Sequence, residues 1–126
     1  MSRKVNEARI GLMKTIAEIG LDPARERVIS KTSQLLRKSF PVARVILFGS
    51  VAKGTSDLES DIDLLVLTDI ELSWRERGRL VDSLFDIELE FDVVISPLIV
   101  SVEQWSSGPW LFAPIRREID QYGAAA

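Results

Sequence analysis

An apolar run, Val45-Ile46-Leu47-Phe48, ends on Gly49-Ser50, and eleven residues after Ser50 a second apolar run opens on Asp61-Ile62-Asp63. A glycine at the end of the first run lets the backbone turn sharply and come close to a ligand. If Asp61 to Leu67 is a strand, alternate side chains share a face, so Asp61 and Asp63 project together from one side of a sheet. The chain is thereby directed toward a small mixed α/β fold in which a Gly-Ser turn precedes two carboxylates on one face of a strand.

Such a pair of acids is costly unless something neutralises it. Two unit negative charges about 4 Å apart near a surface repel by roughly 4 kcal/mol at an effective dielectric near 20. The stretch Ser56 to Asp63 holds four acids and no base, so no local cation offsets the repulsion. Hard divalent cations take carboxylate oxygens, and Mg2+ commonly takes one or two of them together with substrate phosphates. Clamping two such ions calls for a further ligand, and Asp92 is the candidate. It stands in Glu90-Phe91-Asp92-Val93-Val94-Ile95, which reads as a buried strand beside the first. The alternative is an exposed strand residue, because Asp86, Glu88, Glu90 and Asp92 alternate with Ile87, Leu89 and Phe91.

At the other end of the pattern, Ser50 offers a hydroxyl and a backbone N–H at a short helix start, where unpaired donors favour an anion. Lys53 is within reach of the same phosphates. An ordinary strand-turn-helix link with Ser50 as its cap is the plain alternative. The segment Gly49 to Thr55 is not a P-loop, because Thr55 stands where the lysine after the second glycine belongs.

At 126 residues and 46% hydrophobic side chains, the chain suits one packed domain better than two. It has no cysteine and no histidine. Disulfides, cysteine-ligated zinc and the usual neutral-pH base are therefore excluded, and chemistry must rest on carboxylates, lysine, hydroxyls or a bound metal. A net charge of -3 argues against holding long nucleic acid by phosphate neutralisation. No signal-peptide pattern or membrane-length apolar stretch is present, so the expectation is a soluble cytoplasmic protein.

Along the chain, Val5, Ala8, Leu12, Ile16 and Ile19 predict an amphipathic helix ending near Gly20. Asp22-Pro23 then opens a second helix that carries Val28, Leu35, Leu36 and Phe40 and stops at Pro41. Arg25, Arg27, Lys31, Arg37 and Lys38 read as its solvated face. Ser73-Trp74-Arg75-Glu76 is a capping box, with Trp74, Leu80, Val81, Leu84 and Phe85 as the apolar stripe behind it. A strand-helix-strand unit follows, favouring a parallel pair with a right-handed crossover. From Ser101 onward, Trp105, Trp110, Leu111, Phe112, Ile115, Ile119 and Tyr122 predict a helix over the open sheet face, with Pro109 or Pro114 in its first turn. The alternative is that part of this set is a docking surface. Residues 123–126 are expected to fray. The layout is N-terminal helices over 1–40, a core over 44–97 and a helical cover over 101–122.

The run Leu47 to Gly54, followed by Ser60-Asp61-Ile62-Asp63-Leu64-Leu65-Val66, closely resembles the minimal nucleotidyltransferases of the DNA polymerase β superfamily. The likeness extends from Val45 to Ile95, with Asp92 as third acid. It implies a nucleotidyltransferase fold, with Asp61, Asp63 and Asp92 as catalytic metal ligands for two Mg2+ ions. Gly49, Ser50, Lys53 and Gly54 would then lie at the phosphates of ATP. Val51 departs from the arginine that many members carry there, and Lys53 replaces another common arginine; both changes remove a planar, bidentate phosphate contact.

The expected activity is transfer of AMP from ATP to a hydroxyl. After Ile95 the chain has no room for the helical domain that binds small-molecule acceptors in antibiotic-modifying relatives, which points to a protein acceptor. By resemblance, that acceptor is a HEPN-domain toxin and this chain its adenylylating antitoxin, possible oligomers included. A different class of function is a binding module that neutralises its partner by contact alone, with the acids retained and Val51 in its favour. A third is a plain α/β domain whose acids are surface.

Overall fold

The computed structural model describes residues 13–57 and 61–126. Asp22 accepts the Ala24 N–H at 3.4 Å and Pro23 fills the first turn, so helix α1 runs Pro23–Ser39 as expected. It stops where Phe40 turns extended ahead of Pro41. The helix expected to end near Gly20 falls mostly on residues 1–12, outside the described residues. Within them, Ile16–Glu18 form one 3-10 turn and Gly20 takes a positive φ of 68°.

A four-stranded sheet has the order β3-β2-β1-β4. Strand β1, Val42–Phe48, runs antiparallel to β2, Ile62–Thr68, with Phe48 opposite Asp63. Between them lies the short helix α2, Gly49–Lys53. Strand β3, Ile95–Ser101, pairs parallel to β2, with Asp63 opposite Ser96. The crossover carries helix α3, Trp74–Ser83, and helix α4, Phe85–Phe91, so the expected parallel pair forms. Its capping box closes reciprocally: Ser73 Oγ accepts the Glu76 N–H and Glu76 accepts the Ser73 N–H, both at 3.1 Å. Those bonds from Ser73 hold the Glu76 carboxyl below its ordinary value. Arg77 ties the helix to the sheet by donating Nη1 to the Ile99 carbonyl at 3.0 Å.

Two expectations fail here for one reason. Glu90 to Ile95 is not a strand: the chain is helical to Phe91, Asp92 caps that helix with a φ of 53°, and the strand starts at Ile95. The alternation of acids with Ile87, Leu89 and Phe91 matches a strand, but Leu80, Leu84 and Ile87 are buried together at helical spacing and that burial decides. The same geometry splits the predicted apolar stripe. Leu80 and Leu84 point inward, whereas Trp74, Val81 and Phe85 are exposed.

One sheet face packs Val45, Leu47, Ile62, Leu64 and Val66 against Val28, Ile29 and Leu36 of α1 and Leu80, Leu84 and Ile87. The other packs Ile46, Leu65, Leu67 and Val100 against Trp105 and Ile119. These come from helix α5, Val102–Trp105, and helix α6, Pro114–Tyr122, the expected cover, with Pro114 in its first turn; Pro109 lies instead in a 3-10 turn, Gly108–Leu111. Phe112 stays exposed. The C-terminus does not fray. Ala124–Ala125 form β4 against Ile46 and Leu47, and Ser33 Oγ donates to the Ala126 carbonyl at 3.1 Å. The small side chains make this possible, since a Cβ at Gly123 would meet the Ile119 carbonyl and Ile46. Among the described residues no helix is long and apolar enough to cross a membrane.

Leu64 sits fully buried in a strand paired on both sides. Leu64→Ala is expected to lower stability by about 2–5 kcal/mol in urea denaturation, whereas Phe112→Ala should change it by less than about 0.5 kcal/mol.

Candidate active site

The antiparallel register that sets Phe48 opposite Asp63 also delivers Gly49, the next residue, to the Asp63 carboxylate. Gly49 has a φ of 75°, the left-handed region that glycine enters freely. A Cβ at this position would collide with Asp63 Oδ2. Glycine is thus required twice, for backbone angle and for space, and the turn and the carboxylate form one unit.

Asp63 lies on the sheet face of Leu65 and Leu67, at the end of β2. Asp61 precedes the strand by one residue, is exposed, and accepts a bond from Ser96 Oγ at 3.4 Å. Ser96 is the β3 residue opposite Asp63. The Asp63 carboxyl titrates above the ordinary carboxylate range. Burial is the largest cause, the Asp61 charge the next, and the Glu118 charge the last. The ion pairs seen among the described residues are Lys31–Glu90, Lys53–Glu118 and Arg116–Asp120, so neither Asp61 nor Asp63 has a cation there. Two carboxylates and a hydroxyl without a counter-charge are a hard-oxygen donor set, and Mg2+ suits it.

Asp92 is brought to the same sheet end but not onto a strand and not into a cluster. It is exposed at the C-cap of α4, three residues ahead of Ile95. Among the described residues no three acids are grouped as a metal site. On the strand beside β2 the residue opposite Asp63 is Ser96, because the helix runs on to Phe91 and the strand begins only at Ile95.

The turn itself is short. Ser50 is half-buried near the start of α2, Val51 and Ala52 turn into the core, and Gly54 ends the helix in the left-handed region at φ 76°. Lys53 does not project freely. It pairs with Glu118 and lies 5.4 Å from the Tyr122 ring centre, both on α6. Two contributors were not identified from sequence. Arg25, read as solvated, donates Nη1 to Ser56 Oγ at 2.7 Å and Nη2 to the Asp57 carbonyl, holding the segment after α2. Glu118 was one of several charges among aromatics, and no local pattern in the sequence marks its contact with Lys53.

Because the folded state raises the Asp63 pKa, it favours the protonated acid, and its contribution to stability falls as pH rises through the unfolded and then the folded value. Asp63→Asn should therefore raise Tm at pH 7 without divalent ions, and the gain should vanish below about pH 3, read by thermal melts across that pH range. Gly49→Ala should destabilise by about 1–3 kcal/mol, and Asp63→Ala should recover part of that in the double variant, both read by denaturant titration.

A model of the family described as polymerase beta, nucleotidyltransferase, matches residues 30–101. From Methanocaldococcus jannaschii, "Putative protein adenylyltransferase MJ0141" is 41% identical over 56 residues, covering 44% of this chain and 57% of that protein. "Putative protein adenylyltransferase MJ0604" of the same organism is 30% identical over 80 residues, covering 62% and 75%. The match thus spans little more than half the length of the first relative. Among solved structures, a toxin-antitoxin crystallised with AMP-PNP superposes with a TM-score of 0.52 at 26% identity, over 79% of this chain and 70% of that one. A point mutant of the toxin-antitoxin MntA-HpeT gives 0.52 at 26%, over 77% and 69%. With more than half its length matched by the family model and its sheet, turn and paired acids in place, this chain belongs to the polymerase beta nucleotidyltransferase family.

Proposed function

We propose that this chain transfers AMP from ATP to a hydroxyl of a protein partner, and that the partner is the HEPN-domain toxin of a toxin-antitoxin pair in which this chain is the antitoxin. The observation that carries the reading is the close approach of the Gly49 turn to Asp63, which joins a tight glycine turn to an uncompensated carboxylate. The relatives whose names read "Putative protein adenylyltransferase" support the reaction and a protein acceptor. The toxin-antitoxin neighbour crystallised with AMP-PNP supports both the nucleotide and the kind of partner.

In this reading Asp61 and Asp63 hold Mg2+. Bound there, the ion would screen the triphosphate and stabilise the departing pyrophosphate. Gly49 lets the backbone approach the phosphates, while the Ser50 hydroxyl and N–H donate to them. Lys53 adds positive charge once it leaves Glu118. For the third position the reading carries two residues: Asp92 from the sequence and Ser96 from the register opposite Asp63. Positioning and electrostatics supply most of the acceleration.

The competing reading, neutralisation by contact alone, draws on the position of Asp92 outside the pair and on the burial of Val51 in the core. Transfer of label from alpha-labelled ATP to the co-purified partner separates the two. Asp61→Asn and Asp63→Asn should each cut transfer by roughly 100-fold or more, since even groups that only orient metal ligands cost up to about that. A comparable loss in Asp92→Asn assigns the third position to it; near-normal transfer assigns it to Ser96. Toxin neutralisation that persists in Asp61→Asn and Asp63→Asn, with no label in the wild type, supports contact alone.

A further inference from the structure

The crossover helices present an apolar stripe to solvent that the fold does not use. Trp74 is 80% exposed, Val81 45%, Phe85 59% and Leu89 66%. Leu84 joins α3 to α4 in right-handed helical backbone, so the spacing runs nearly continuously across the pair. At about 100° per residue, Trp74, Val81, Phe85 and Leu89 fall within about 80° of one another, a single seam with Gly78 between them. Four large exposed side chains in one line are more than scattered surface apolarity, and such a patch marks an interaction site.

The charges beside the seam specify what covers it. Arg75, Arg79, Asp82 and Asp86 are all exposed and, by the same helical count, flank the seam on one side. Among the described residues none of the four takes part in an intrachain ion pair. Along that flank the basic residues come first and the acidic ones last. When two helices pack antiparallel about a two-fold axis, the same flank of each faces the other in reverse order. A second copy laid on this seam sets Arg75 against Asp86 and Arg79 against Asp82, with Val81 beside the axis. Both pairings fall in one register, and each occurs twice by symmetry. A parallel arrangement would not align them.

We infer that the α3–α4 seam is a self-complementary surface through which two copies of this chain associate, antiparallel and two-fold symmetric. The inference stands on exposure and charge order and is independent of the nucleotide reading.

Light scattering coupled to size exclusion, over a concentration series of the full chain, tests it. The wild type should reach twice the chain mass, and Val81→Glu should return it to the chain mass with an unchanged circular dichroism spectrum, since Val81 is exposed. Arg75→Glu with Arg79→Glu, and separately Asp82→Lys with Asp86→Lys, should each weaken self-association by roughly tenfold or more, because four attractive contacts become repulsive. Mixed together, these two variants restore every opposite-charge contact and should form a heterodimer of wild-type mass. A wild type that stays at the chain mass at every concentration overturns the inference and leaves the seam to a different chain. A dimer that survives Val81→Glu and both charge reversals overturns it as well.

Discussion

The antiparallel register between β1 and β2 is the constraint on which the rest depends. Setting Phe48 opposite Asp63 brings the Gly-Ser turn and the first acids to one sheet end, although more than ten residues separate them in the chain. A slip of one residue would turn Asp61 and Asp63 toward the α1 face, into the layer of Leu64 and Val66. Register is held because both faces of the sheet are buried, so each alternate side chain has only one acceptable environment. The helices on the two faces are therefore part of the site's construction, not its surroundings.

Within that frame the site is assembled against an electrostatic cost. Asp63 is partly buried beside two other acids and without a cation, a condition the folded state tolerates rather than relieves. Active sites often carry such a cost, since the groups that bind a charged substrate cannot be fully satisfied without it. Helix α6 shares in this arrangement. Its Glu118 both burdens Asp63 and engages Lys53, so the C-terminal cover reaches the helix after the Gly49-Ser50 turn as well as closing the second core. Arg25 plays a comparable part from α1 by fixing the segment that follows the turn.

Much of this was legible in the sequence, and the limits have physical causes. The Gly49-Ser50 turn, the strand of Asp63, the Asp22 cap and the Ser73 capping box all follow from local signals, because each depends on residues within a few positions of one another, and the parallel crossover follows from the strand-helix-strand order. Where distant packing decides, sequence misled. The acids from Asp86 to Asp92 alternate as a strand does, yet Ile87 packs beside Leu80 and Leu84 and the segment is a helix. Trp74, Val81 and Phe85 read as core because they are large and periodic, but the helix turns Leu80 and Leu84 inward instead. The C-terminal Gly-Ala-Ala-Ala looks like a loose end until the tight space against Ile46 and Ile119 is known. The roles of Lys53 and Glu118 depend on a contact between distant elements, which no local pattern encodes.

The central claim is that Asp61, Asp63 and the Gly49 turn form one site for a nucleotide that arrives with a divalent ion. Titration calorimetry of the full chain with a non-hydrolysable ATP analogue, with and without Mg2+, tests it most directly. The account predicts binding that requires Mg2+ and is lost in Asp63→Asn. Equal affinity without the ion, or undiminished affinity in that variant, would contradict it.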